Sequence, residues 1–195
     1  MRLPAALIAV VLLTGHARAE EALPARNQAL LLLRVLAYDR GLRARVGETV
    51  VVGVTFRPGD AASEAARDAM VKALQEAAES FMVGGLPVRV VAVTWSRAGD
   101  GSARLSETRL AALYVAPGLE SESSAVARVS RDRKILTFTP ARAAVDAGLS
   151  VGIVSRRSRA SLVVNRSGAR AEGADLDSAL LAVAEVVEGS GGPRP

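Results

Sequence analysis

One pentapeptide in the sequence has the spacing of an acyl-transfer nucleophile, Gly148-Leu149-Ser150-Val151-Gly152. A G-x-S-x-G motif works when a strand leads into it, a helix leads out of it and a histidine takes the serine's proton. Here the flanking residues predict the reverse order, helix then strand, and the single histidine, His16, stands near the N-terminus. The pentapeptide therefore reads as two glycines around a helix-to-strand turn. Lysine can replace histidine as the base, but only Lys72 and Lys134 exist, one on a predicted helix surface and one at a strand entrance among arginines. Asp39, Glu48, Asp60 and Asp100 are candidates for a glycosidase carboxylate pair, yet nothing in their spacing brings two of them to one cleft.

The remaining polar groups point away from cofactors. Glu172, Asp175 and Asp177 form a loose acidic cluster without the D-x-[DN]-x-[DN]-G loop of a calcium site, and Asp175 or Asp177 is expected to cap a helix. No strand runs into G-x-G-x-x-G or G-x-x-x-x-G-K, so the pattern implies no nucleotide. Cysteine is absent, which excludes disulfides and thiolate chemistry. Metal and cofactor are both expected to be none.

Residues 1–19 have the form of a secretory signal peptide: Met1-Arg2, an apolar stretch from Leu3 to Leu13, and a small-x-small site at Ala17-Arg18-Ala19. Cleavage there leaves 176 residues with no histidine, expected in the periplasm as one domain over 20–188 with a flexible tail over 189–195. The formal charge of +5 becomes +3 when Arg2 and Arg18 leave. Basic and acidic residues are interspersed and aromatics make up 3% of the chain, so nucleic acid is not an expected partner.

The elements that must position these groups alternate. A leucine-rich buried helix is predicted over 25–40, a strand over 49–55, an amphipathic helix from an Asp60 cap to Gly84-Gly85, and a strand over 86–95. A Gly99-Asp100-Gly101 loop and a short polar helix near Ser106–Arg109 lead to a strand over 110–115 and a helix near 119–128. A strand over 135–138 and a helix opened by Thr139 and Pro140 follow. Val151–Val154 and Ala160–Val164 flank Ser155-Arg156-Arg157-Ser158-Arg159, a hairpin with a basic tip, and a last helix is predicted over 177–188. The fold expected is a single three-layer α/β domain, a largely parallel sheet ending in an antiparallel hairpin and a final helix.

The segment from Gly148 to Val187 resembles the C-terminal signature of the YfiR family (YfiR/HmsC-like periplasmic proteins). That signature runs roughly GG-x-I-x-F-V, a charged turn, R-F-E-I-N, then G-L-x-I-S-x-x-LL-x-LA. Here the matching residues are Gly148, Val151, Ile153-Val154, the turn 155–159, Leu162-Val163-Val164-Asn165, Gly173, Leu176, Ser178, Leu180-Leu181 and Val183-Ala184, with no gap from Asn165 to Leu181. Upstream elements follow in the same order, including Val52-Gly53-Val54, Leu113-Tyr114-Val115 and Ile135-Leu136-Thr137-Phe138. The chain departs from the pattern in its leucine-rich first helix, in Leu162-Val163 where the family has Phe-Glu, and in lacking the cysteines of some members.

The resemblance implies an α/β periplasmic repressor, often dimeric, that holds an inner-membrane diguanylate cyclase inactive through its periplasmic sensor domain. The expected family-motif and partner-contact residues are Gly148, Gly152, Arg156, Arg157, Arg159, Asn165, Leu180 and Leu181. From its residues alone, Asn165 is expected to satisfy backbone groups at a strand end, and the basic tip to be a solvated turn or a contact for an acidic surface. A partner-binding regulator that is not an enzyme is the leading expectation. A small-molecule-binding accessory protein of the envelope, with a cleft at the sheet's C-terminal edge, comes second, and a histidine-free hydrolase third.

Overall fold

The computed structural model describes residues 23–95, 109–156 and 159–188. The expected signal peptide, the Gly99–Gly101 loop, most of the helix expected near Ser106–Arg109, Arg157 of the hairpin tip and the tail from 189 lie outside them. Among the described residues no helix is long and apolar enough to cross a membrane.

A seven-stranded sheet forms the middle layer, in the order β2-β1-β3-β4-β5-β6-β7. The strands are β1 (Val50–Phe56), β2 (Val88–Thr94), β3 (Ala112–Val115), β4 (Leu136–Thr139), β5 (Val151–Arg156), β6 (Arg159–Asn165) and β7 (Glu185–Val187). Every neighbouring pair is parallel except β5 and β6, which form the expected antiparallel hairpin with Arg156 opposite Arg159. Among the described residues seven α-helices pack around the sheet: α1 (Ala25–Ala37), α2 (Leu42–Arg45), α3 (Ala61–Ala78), α4 (Ser123–Arg133), α5 (Arg142–Asp146), α6 (Arg166–Ala171) and α7 (Ser178–Val183).

Alternation along the strands builds the two cores. Val50, Val52, Val54 and Phe56 point to the face covered by α1 and α3, while Val51 joins Leu113 and Val115 against α4 and α5 on the other. Gly53 sits where a β-carbon would lie 2.9 Å from the side chains of Leu110 and Leu113, so neighbouring leucines fill the space a side chain would need. Gln28 ties the layers by a polar route, donating to the Leu23 carbonyl at 2.6 Å and accepting from the Tyr114 hydroxyl at 2.7 Å. Burial pushes that phenol up from its ordinary pKa.

Several boundaries differ from expectation for local reasons. The helix capped by Asp60, whose carboxylate accepts from Ala62 N and Ser63 N at 3.1 Å, ends at Ala78. Gly84 and Gly85, expected to close it, instead occupy positive φ in the tight turn that joins Val83 to Leu86. Lys134, expected to open a strand, is the left-handed C-cap of α4. Thr139 does not cap α5: pairing with Gly152 keeps it in β4, and its hydroxyl accepts from Ala141 N, so the helix begins at Arg142. The final helix expected over 177–188 stops at Val183. Val186 and Val187 are β-branched and find the edge of β6 free, so they add to it as a parallel strand.

Candidate functional site

The structure turns the polar residues singled out by sequence inward. Ser150 is fully buried at the start of β5, and its hydroxyl donates to Glu172. Glu172, also fully buried, accepts from Thr137 N at 2.8 Å and from the Thr137 hydroxyl at 2.9 Å. The same threonine oxygen accepts from Ser150 N at 2.8 Å. One carboxyl group thus fastens the end of α6 to β4 and β5. Removal from water pushes its pKa up to about 7, against the smaller opposing pull of the hydrogen bonds and of Arg131. A serine sealed this way has no access for a substrate, and its oxygen faces a carboxyl group inside the core.

Gly148 and Gly152 have structural duties. Gly148 turns the chain into β5 at φ +116°, with its carbonyl accepting from Arg131 Nη2 at 3.0 Å. A β-carbon on Gly152 would lie 2.9 Å from Val145 Cγ2, so α5 packs onto β5 there because the side chain is absent. Asn165 ends β6 and caps α6: its Oδ1 accepts from Gly168 N at 2.9 Å, as expected of an asparagine at a strand end. Leu180 is core, and Leu181 is half-buried on the rim of a depression of about 120 Å³.

The acidic trio does not come together. Glu172 is internal, Asp177 caps α7 by accepting from Ala179 N at 2.8 Å, and Asp175 is an exposed partner of Arg40. A second buried charge, Asp39, was foreseen only as one of several spare carboxylates. It accepts from Gly41 N at 3.0 Å and Asp175 N at 2.8 Å and pairs with Arg45, whose guanidinium also donates to the carbonyls of Ala111 and Lys134. This ion pair holds the end of α1 to the N-terminal ends of β3 and β4.

Two concave sites stand out at the surface of the described residues. The 120 Å³ depression is bordered by Arg40, Arg166 and Arg170 beside α6 and α7. The other, about 450 Å³, opens at the C-terminal ends of β3, β4 and β5 and takes in Pro117, Pro140 and Val154–Arg156. Arg142 and Arg156 border it and share Glu185 of β7, at 2.6 Å and 2.8 Å. Beside that cluster Val183, the last residue of α7, and Val186 of the edge strand β7 are exposed, the former 78% accessible.

The family model described as YfiR/HmsC-like matches residues 63–185, from the first turn of α3 to the start of β7. The chain belongs to the YfiR/HmsC-like family. A search of curated protein sequences finds no match. Solved structures share the fold. A conserved domain protein from Vibrio cholerae O1 biovar eltor aligns with TM-score 0.58 and 17% identity over 84% of this chain. A ligand-free, open substrate-binding protein with adhesive properties from Clostridium difficile aligns with TM-score 0.58, 16% identity and the same coverage. So does an ABC domain from Streptococcus pneumonia in complex with L-Trp, at 15% identity. This YfiR/HmsC-like chain spans 60% of each of those chains, and at such identity the likeness is one of fold.

Proposed function

We propose that this protein is a non-catalytic regulator in the bacterial periplasm. It holds an inner-membrane signalling protein, a diguanylate cyclase in the first instance, in its inactive state by binding the part exposed to the periplasm. Membership of the YfiR/HmsC-like family across most of the domain carries this reading. The fate of the reactive groups supports it: Ser150, Glu172 and Asn165 spend their hydrogen bonds inside the fold. What faces outward is a surface, with Arg156 and Arg159 at the end of the hairpin, Val183 at the end of α7 and Val186 on the edge strand.

Binding alone is sufficient for such control if it discriminates between states. Moving a cyclase from mostly active to mostly inactive takes about 5.5 kcal/mol of differential affinity, well within the reach of a protein interface. Deleting the gene and measuring cellular cyclic di-GMP tests the proposal. The level should rise, and should return when the exported protein is supplied in trans; an unchanged level contradicts it.

A further inference from the structure

β5 outruns its neighbour. The register pairs Phe138 with Val151 and Thr139 with Gly152, after which β4 ends while β5 continues to Arg156. Residues Ile153–Arg156 are paired with β6 on their other side. Among the described residues no strand lies beside them where β4 would have continued. In such a strand, alternate residues aim N–H and C=O away from the paired neighbour, so this overhang presents main-chain donors and acceptors to the gap. β4 gives way to Pro140 and β3 to Ala116-Pro117, and neither proline has an N–H with which to continue the ladder.

The gap is the 450 Å³ notch, within the usual size of small-molecule sites and at the sheet edge where open α/β folds bind ligands. Its overhanging strand spans about 13 Å at the strand rise per residue. Charge at its mouth is divided. Glu185 bridges two guanidinium groups, and Arg142 also pairs with Asp146, whereas Arg156 meets Glu185 through Nη1 with its side chain half-exposed. Glu120 stands on the β3 side of the notch, so a polyanion is repelled there while one carboxylate is welcome at Arg156.

We propose that this notch binds a short peptide of three or so residues, laid in extended form beside β5 in the place of a longer β4, with its C-terminal carboxylate on Arg156. Main-chain pairing through Ile153 and Ser155, whose polar groups face away from β6, supplies a grip indifferent to side chains, and the arginine selects a free C-terminus. The site is an input to the protein in its own right and stands whether or not the cyclase is its partner.

Trialanine is the probe, titrated into the isotopically labelled mature protein and followed by amide chemical shifts. Saturable shifts in the millimolar range are expected at Ile153 and Ser155 and at Ala141 across the notch. Trialanine amide, which lacks the carboxylate, should bind about tenfold more weakly, and Arg156→Gln should bring unmodified trialanine to that same weaker level. Arg156 is half-exposed, so this variant keeps the fold, which its unperturbed shifts elsewhere would verify. Unmoved signals at Ile153 and Ser155, or equal binding of acid and amide, would overturn the proposal.

Discussion

Glu172 makes the stability of this protein depend on pH in a direction opposite to that of a salt-bridged carboxylate. Its pKa is raised from 4.5 to about 7 in the folded protein, so the native state holds this proton more tightly than the unfolded chain does. The stabilisation is complete below about pH 4.5 and drains away as pH climbs through about 7. The difference between the two pKa values amounts to about 3 kcal/mol. Glu172→Gln keeps the shape and removes the charge: its carbonyl can accept from Thr137 N and Ser150 Oγ, and its amide can face the Thr137 hydroxyl, which can turn to accept. The assay is urea unfolding of wild type and variant at about pH 5 and about pH 8. Near pH 5 the two should match closely; near pH 8 the variant should be the more stable by about 2–3 kcal/mol, or roughly 4–12 °C in thermal midpoint. Parallel pH dependences for the two proteins would refute the claim that a buried proton sits on this residue.

Arg45→Ala leaves Asp39 charged and buried and strips the Ala111 and Lys134 carbonyls of their donor, so unfolding free energy should fall by about 3–5 kcal/mol in a denaturant titration. Asn165→Ala removes the cap of α6, with an expected cost of about 1–2 kcal/mol and faster hydrogen exchange at Gly168.

How much of this was legible beforehand depends on what each residue answers to. Residues 49–55 read as a buried strand, observed as Val50–Phe56, because a short run rich in valine and threonine has one good environment, between two helical layers. The hairpin at 151–165 read correctly because two apolar runs met a polar turn. Asp60 and Asn165 declared their roles through chemistry that acts within three residues.

What was hidden depends on distant partners. Nothing near Glu172 in the chain distinguishes it from an exposed acid, since Thr137 lies 35 residues away and Ser150 lies 22 away. Asp39 and Arg45 are only six apart, but their burial depends on Ala111 and Lys134. β7 was masked by Leu176, Leu180, Val183 and Val187, a helical spacing that the vacant edge of β6 overrode; Val183, nominally on the buried stripe, is largely exposed. The notch beside β5 follows from two strands ending at different heights, which no local pattern records.

If the protein acts as proposed, its exposed surface does the work while the reactive-looking interior only holds the fold. Cyclic di-GMP measured in a deletion strain carrying either Ser150→Ala or Val183→Asp with Val186→Asp, at matched protein levels, puts that division to the test. The serine variant should restore the low level, and the double aspartate variant should leave it high. Restoration by the aspartate protein together with failure of the serine protein would contradict that division.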